Sequence, residues 1–141
     1  MLMCRLRFCL AIIVLMQCDG PVYAEWVALK EQYQFHPLQT VYIDLDTLHR
    51  DGEMVTISSL IEWKAMQGGR TPTRFYSTKF TKQFDCAGNQ VRTLTATDYY
   101  GHMGTGEVIG GGGHTGESQW VAIEPGTINQ GLWEAACGKR R

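Results

Sequence analysis

The glycine-rich stretch GHMGTGEVIGGGGHTGES, residues 101–118, has the spacing most suggestive of chemistry in this sequence. Residues 111–118 match the phosphate-binding pattern G-x-x-x-x-G-K-[ST], except that Glu117 stands at the lysine position. Such a loop must also enter a helix, whereas the SQWVAI that follows alternates as a strand does. The dinucleotide pattern G-x-G-x-x-G fails because Ile109 replaces its third glycine. We therefore interpret the stretch as hairpin loops on either side of a short strand near Val108.

The acidic, histidine and nucleophilic residues form no recognised catalytic pattern. Asp44-Leu45-Asp46 begins like a calcium loop, but His49 stands where that loop needs its sharp-turn glycine. No G-x-S-x-G elbow or Cys–His nucleophile arrangement occurs. We predict a non-enzymatic protein with no catalytic residue, metal site or resident cofactor. One alternative stays open, namely haem or transition-metal ligation if His102 and His114 meet across the glycine-rich hairpin; the remaining histidines are His36 and His49.

Residues 1–24, MLMCRLRFCLAIIVLMQCDGPVYA, have the layout of a secretory signal peptide. Two arginines precede a nine-residue apolar core, Phe8–Met16, and VYA ending at Ala24 is a small-x-small cleavage signal. The core is shorter than the roughly 20 residues that span a bilayer. The glutamine before Cys18 disfavours the alternative of lipid attachment. We predict cleavage after Ala24 and export across the inner membrane, to the periplasm, the cell surface or the medium.

Residues 25–141 would then be the mature chain, whose 117 residues suffice for one compact domain. This chain holds 11 basic and 13 acidic side chains, a net charge of −2. Such a balance offers no bulk attraction for nucleic acid or an anionic membrane, so we predict neither as a partner. Two cysteines remain, Cys86 and Cys137, and an oxidising compartment favours a disulfide between them. Free thiols, the alternative, would imply a cytosolic protein.

Apolar residues of the mature chain recur mostly at every second position, which indicates strands. The Asp51-Gly52 pair between two such runs is a hairpin signal. Because no long helical segment separates the strands, we predict an antiparallel meander. The predicted strand segments are EWVALKE, QTVYIDL, EMVTISSLIEW, TRFYSTKFTKQFDC, VRTLTATDYY and QWVAI.

The fourth of these segments places a lysine among aromatic residues. Its alternation puts Phe80, Lys82 and Phe84 on one face and Lys79 on the other. Basic residues of this region are also candidates for a stripe on the exposed face, a pattern that is more often a solvated surface. The stripe would comprise Arg74, Lys79, Lys82 and Arg92.

The C-terminal segment has helical periodicity instead. Thr127 precedes Gln130 by three residues, which is a capping-box spacing, and the apolar residues that follow form one helical stripe. Gly138 is a natural C-terminal cap. The pattern predicts one helix of about ten residues, too short to be stable alone.

The order of these motifs resembles the bacterial surface-adhesin E family over nearly all of residues 25–138. The residues that carry the resemblance are VYIDLDTLHRDGEMVTISSLIEW, YSTKFTKQFDC, GHMGTGEVI, and QWVAIEPGT before a terminal helix that ends in cysteine. The resemblance implies an α+β fold, an antiparallel sheet of about six strands with a C-terminal helix tethered by a Cys86–Cys137 disulfide. It further implies binding to host extracellular-matrix or serum proteins, such as laminin and vitronectin, and to haem. We thus predict an exported binding protein; the alternative is a periplasmic small-ligand or haem-binding protein with an apolar pocket under the helix.

Overall fold

The structure is a computed structural model that describes residues 25–69, 73–109 and 119–138. The predicted signal peptide, residues 1–24, and the GGGHTGES segment with His114 lie outside the described residues. Within the described ranges, no helix combines the length and apolar character needed to cross a membrane.

An antiparallel sheet forms the body of the domain, as the strand pattern predicts. Its order is β1-β2-β3-β4-β5-β6, and β7 pairs with the opposite end of β5 from β6. The described residues form seven strands, in agreement with the sheet of about six that the resemblance implies. Three of the seven are only two residues long. The strands are β1 Val27–Ala28, β2 Gln39–Asp51, β3 Met54–Gln67, β4 Phe75–Asp85, β5 Gln90–Tyr99, β6 Val108–Ile109 and β7 Val121–Ala122.

The second strand is longer than its sequence predicts, since QTVYIDL ends at Leu45 and β2 continues to Asp51. A register shift between Asp44 and His49 makes the extension possible. The Thr47 hydroxyl donates to the Asp44 carbonyl (2.6 Å) and accepts from the backbone N–H of Ser58 (2.9 Å). This bulge therefore keeps the irregular segment paired with β3. The hairpin turn is confirmed at Gly52, whose positive φ of 60° suits glycine.

One helix, α1 (Ile128–Cys137), packs across one face of the sheet. We call this the inner face, marked by Val41, Ile57 and Phe84, and the opposite side the outer face. Leu132 and Ala136 of α1 are buried against the inner face. The full buried core cluster is Leu29, Tyr33, Val41, Ile43, Val55, Ile57, Phe84, Cys86, Val91, Ile123, Leu132 and Ala136.

A disulfide between Cys86 and Cys137 fastens the end of α1 to the sheet, with a Cα–Cα distance of 5.6 Å. Cys86 lies directly after β4, and Cys137 is the last residue of α1. The tethered helix of the predicted fold is therefore confirmed.

The first strand is shorter than its sequence predicts. The segment EWVALKE predicts a strand up to Glu31, whereas β1 ends at Ala28 and a 3₁₀ turn begins at Glu31 and ends at Tyr33.

Candidate functional site

A groove of about 520 Å³ runs between the inner face of the sheet and the start of α1. Its walls are mainly apolar and include Val41, Ile61 and Phe80 from three neighbouring strands. Ile128 and Leu132 of α1 form the opposite wall. A concave, mostly apolar site of this size with few polar groups is typical of small-molecule binding sites. We refer to it as the helix groove.

Lys82 is the single ionisable side chain among the described residues that line the helix groove. Its Nζ donates a hydrogen bond to Asn129 Oδ1 (2.9 Å) and lies 5.6 Å from the centroid of the Phe80 ring. Burial lowers the pKa of Lys82 from its ordinary value, because desolvation disfavours the charged ammonium. The lysine is thus a cation in an apolar setting with a neutral amide as its polar partner.

The start of α1 is held in place by its own capping groups. The Thr127 hydroxyl accepts a hydrogen bond from the backbone N–H of Gln130 (3.3 Å), as the capping-box spacing predicts. The Gln130 side chain accepts from the backbone N–H of Gly126, one residue before the N-cap. The first turn of α1, capped in this way, holds Asn129 within hydrogen-bond distance of Lys82.

Gln34 positions the mouth of the helix groove. Its Nε2 donates to the carbonyls of Leu29 (3.0 Å) and Val41 (2.9 Å), and its Oε1 accepts from the Val41 N–H (2.9 Å). The side chain therefore pairs with β2 as a backbone amide would. The next residue, Phe35, lines the groove although 59% of its surface is exposed. An exposed aromatic side chain at the mouth of a cavity is available for contact with a ligand.

A smaller hollow of about 200 Å³ lies on the other side of α1. Val27 and Leu45 border it and are each about half exposed. Tyr33 closes one wall by packing on Gly131, where a Cβ atom would lie 2.6 Å from two atoms of the tyrosine ring. Glycine in the middle of α1 is therefore required by this close approach.

On the outer face, a carboxylate pins the 3₁₀ turn His102–Gly104 to the sheet. Glu62 accepts hydrogen bonds from the Met103 N–H (2.7 Å) and pairs with the His102 ring, which stacks on Tyr76 at a centroid distance of 4.2 Å. Ser77, fully buried, donates to the Gly101 carbonyl and accepts from the Gly104 N–H. These contacts hold the turn against the sheet and have a structural role; we call this set of contacts the clasp.

The histidines of the described residues are separated. His36 accepts from the Leu38 N–H (3.1 Å), His49 lies exposed on β2, and His102 belongs to the clasp. No group of three histidine, cysteine or acidic residues within the described ranges could hold a metal ion. The suggested pairing of His102 with His114 falls on a residue outside those ranges.

One edge of β5 pairs with β4, and the opposite edge, which we call the outer edge of β5, pairs with β7 at one end and with β6 at the other. Exposed apolar residues lie at both ends of this outer edge. Val108 of β6 and Tyr100 are each 47% exposed, and Val121 of β7 is 50% exposed. Near β7, the Arg92 guanidinium lies 4.7 Å from the Trp120 ring centroid, and Arg92 Nε donates to Gln83 Oε1 (2.8 Å). Tyr100 is exposed, whereas Trp120 and Arg92 are half-buried. Tyr, Trp and Arg are residue types enriched in protein–protein interfaces.

The basic stripe suggested by the sequence is wrong for Lys82. Strand alternation places Lys82 in the helix groove and Lys79 on the outer face, as the two-residue period of β4 predicts. Arg92 faces outward beside Gln83, and Arg74 is exposed before β4 begins. The apolar pocket expected under the helix for the alternative function is present as the helix groove, but sequence reasoning missed that Lys82 lies in it. The sequence signal for this placement was that Lys82 is flanked by Phe80 and Phe84 on the apolar face of a strand.

Comparisons with known proteins agree with this architecture. Residues 26–138 match the family model described as surface-adhesin protein E. Solved structures of Haemophilus influenzae protein E are similar in fold: one has a TM-score of 0.62 at 15% identity and covers 85% of this chain and 91% of its own. The selenomethionine form has a TM-score of 0.62 at 13% identity, with 82% and 88% covered. A second crystal form has a TM-score of 0.59 at 14% identity, with 79% and 95% covered. A search of curated protein sequences finds no match.

Proposed function

Because the chain belongs to the surface-adhesin protein E family, we propose that it is an exported, non-enzymatic binding protein whose partners are host extracellular-matrix or serum proteins. The observation that carries this proposal is the family match over residues 26–138, which includes the whole sheet, α1 and the disulfide. In this proposal residues 1–24 are a signal peptide and residues 25–141 the mature domain. Its final location is the cell surface, since a host partner has to reach it.

The outer edge of β5 is the surface that we assign to the host partner. Val121 pairs with Val91 and Ile109 pairs with Asp98, so the two exposed ends of this edge are seven residues of β5 apart. At about 3.4 Å per residue, this is a span of roughly 24 Å. A standard protein interface buries about 800 Å² on each partner and is roughly 30 Å across. One partner can therefore contact both ends at once.

Binding to immobilised laminin and vitronectin tests the proposal, using the exported and purified protein in biolayer interferometry. We expect saturable binding to at least one of the two proteins. Val121→Asp should weaken this binding at least tenfold, because it places a charge in a desolvated contact. Leu38→Asp is the matched control, since Leu38 is similarly exposed, at 47%, but lies in the loop before β2. Binding no stronger than that of an unrelated exported protein would refute the proposed partner class, and equal losses in both variants would refute the assigned surface.

Protease treatment of intact cells tests the proposed location separately. A C-terminal tag on the full chain should be removed from intact cells, with an outer-membrane-permeabilised sample as the control for protease access. Protection of the tag until permeabilisation would refute surface display and move the protein to the periplasm.

The alternative function, that of a small-ligand carrier, is supported by the helix groove under α1. Haem is a poor candidate for the groove, because the described lining residues include none of the His, Cys, Met or Tyr side chains that ligate haem iron.

A further inference from the structure

We propose that the helix groove binds a free aliphatic carboxylate, with the carboxylate paired to Lys82 and the alkyl chain lying across β3 and β2 toward Phe35. The proposal concerns a small molecule and does not depend on the host partner assigned above.

The first argument concerns charge. Lys82 has one hydrogen-bond partner among the described residues, the neutral Asn129 side chain, and no carboxylate of those residues lies within 4.0 Å of its Nζ. The other described residues that line the groove carry no ionisable side chain. Buried or half-buried charges in proteins are normally paired. A single anionic group would complete this site, and a cationic ligand would be repelled.

The second argument concerns shape. Lys82 lies on β4, while Val41 and Phe35 lie on or beside β2, two strands away. At about 4.8 Å between neighbouring strands, the apolar floor extends roughly 10 Å from the charge. Ile61 and Phe80 occupy this floor, and Ile128 lies above it on α1. The site therefore has one cationic end and a long apolar remainder, which matches a molecule with one anionic head and an alkyl tail.

The third argument excludes an extended peptide from this groove. A peptide brings a backbone N–H and C=O with every residue, and each group needs a partner when it leaves water. Peptides gain such partners by adding to a strand edge. The helix groove instead lies on a sheet face, where β2, β3 and β4 already bond to one another. An alkyl chain has no such requirement.

Isothermal titration calorimetry of the exported, purified protein with decanoate, below its micelle concentration, tests the proposal. Decanol and decyltrimethylammonium carry the same alkyl chain with a neutral and a cationic head. We expect one decanoate per protein, weaker binding of decanol, and no saturable binding of decyltrimethylammonium. In NMR spectra, decanoate should shift the backbone amides of Ile61 and Ile128.

Three variants locate the site. Lys82→Met keeps the apolar stem and removes the charge, so it should weaken decanoate binding by about ten- to a hundredfold while leaving decanol within about twofold. Lys79→Met is the matched control, because Lys79 lies on the same strand and faces the other side of the sheet; it should bind decanoate as the wild type does. Phe35→Ser removes the exposed aromatic wall and should weaken decanoate and decanol alike.

The proposal is overturned if decanoate shows no saturable binding, if decyltrimethylammonium binds as tightly as decanoate, or if Lys82→Met and Lys79→Met bind decanoate equally. If circular dichroism shows that Lys82→Met is misfolded, the Phe35→Ser variant tests the assigned groove instead. The Phe35 side chain is mostly exposed and contributes little to the core, so this variant should fold. Unchanged decanoate binding in that variant would overturn the assigned groove.

Discussion

Removal of the disulfide should destabilise the domain by about 4 kcal/mol. The perturbation is the double substitution Cys86→Ala with Cys137→Ala, which leaves no free thiol. The bond joins residues separated by 51 positions, and the chain-entropy relation for a loop of that length gives about 4 kcal/mol at 25 °C. Since domains of this size are stable by only about 5–15 kcal/mol, the loss is a large part of the total.

The loss should be concentrated in α1. The helix has ten residues, too few to be stable without its contacts to the sheet. Besides the disulfide, the buried Leu132 and Ala136 anchor it to the core, and Ile128, Trp133 and Ala135 pack against the core while partly buried. We therefore expect the amides of α1 to exchange with solvent faster in the double variant, by a larger factor than the central amides of β3. The helix groove should bind decanoate more weakly, because α1 forms one of its walls.

Urea denaturation at 25 °C, followed by tryptophan fluorescence and far-ultraviolet circular dichroism, measures the free energy of unfolding. The wild type with its disulfide reduced is the control, since it has the same side-chain volumes and no bond. A loss below about 1 kcal/mol in both proteins would refute the loop-closure reasoning. Equal acceleration of amide exchange in α1 and β3 would refute the assignment of the effect to the helix.

Three further substitutions test the packing and electrostatics of α1 and the groove. Gly131→Ala should lower stability by about 1 kcal/mol in urea denaturation, because overpacking Tyr33 costs about 1–3 kcal/mol and the gain in helix propensity is only about 1 kcal/mol; a net gain would contradict the contact. Thr127→Ala should cost about 1 kcal/mol through loss of the N-cap, whereas Thr127→Ser should be nearly neutral, and equal losses would exclude the hydroxyl as the cause. Lys82→Met should remove an alkaline increase in stability. Burial lowers the pKa of Lys82 in the folded protein below the 10.5 of an exposed lysine, which applies to the unfolded chain. Between the folded and the unfolded pKa the unfolded chain binds more protons, so the wild type gains stability there as pH rises. Denaturation of both proteins from neutral pH to about pH 10 measures this, and a stability difference independent of pH would refute it.

Much of the fold could be predicted because its determinants are local. Thr127 and Gln130 predict the start of α1, and Asp51-Gly52 predicts the β2–β3 turn, since capping and turn chemistry act within a few residues. The extent of β2 could not be predicted. Hydrogen bonds of Thr47 with Asp44 and Ser58 keep an irregular segment in the sheet, and the Ser58 partner comes from the neighbouring strand.

The helix groove could be predicted only in part. The two-residue alternation of β4 places Lys82 on the same face as Phe80, and that follows from the sequence alone. The alternation does not say whether that face is open to solvent.

The sequence by itself determined the strand pattern, the terminal helix, the cysteine pair and the family resemblance, because each depends on neighbouring residues or on the order of motifs. Tertiary structure alone decided that α1 crosses the inner face above Lys82, that Gln34 pairs with β2 at Val41, and that Gly131 admits the Tyr33 ring. The Lys82–Asn129 and Tyr33–Gly131 contacts join segments far apart in the chain, and the Gln34–Val41 pairing spans seven residues across the turn before β2. Their formation depends on how the elements pack in three dimensions, and periodicity along the sequence carries no information about that.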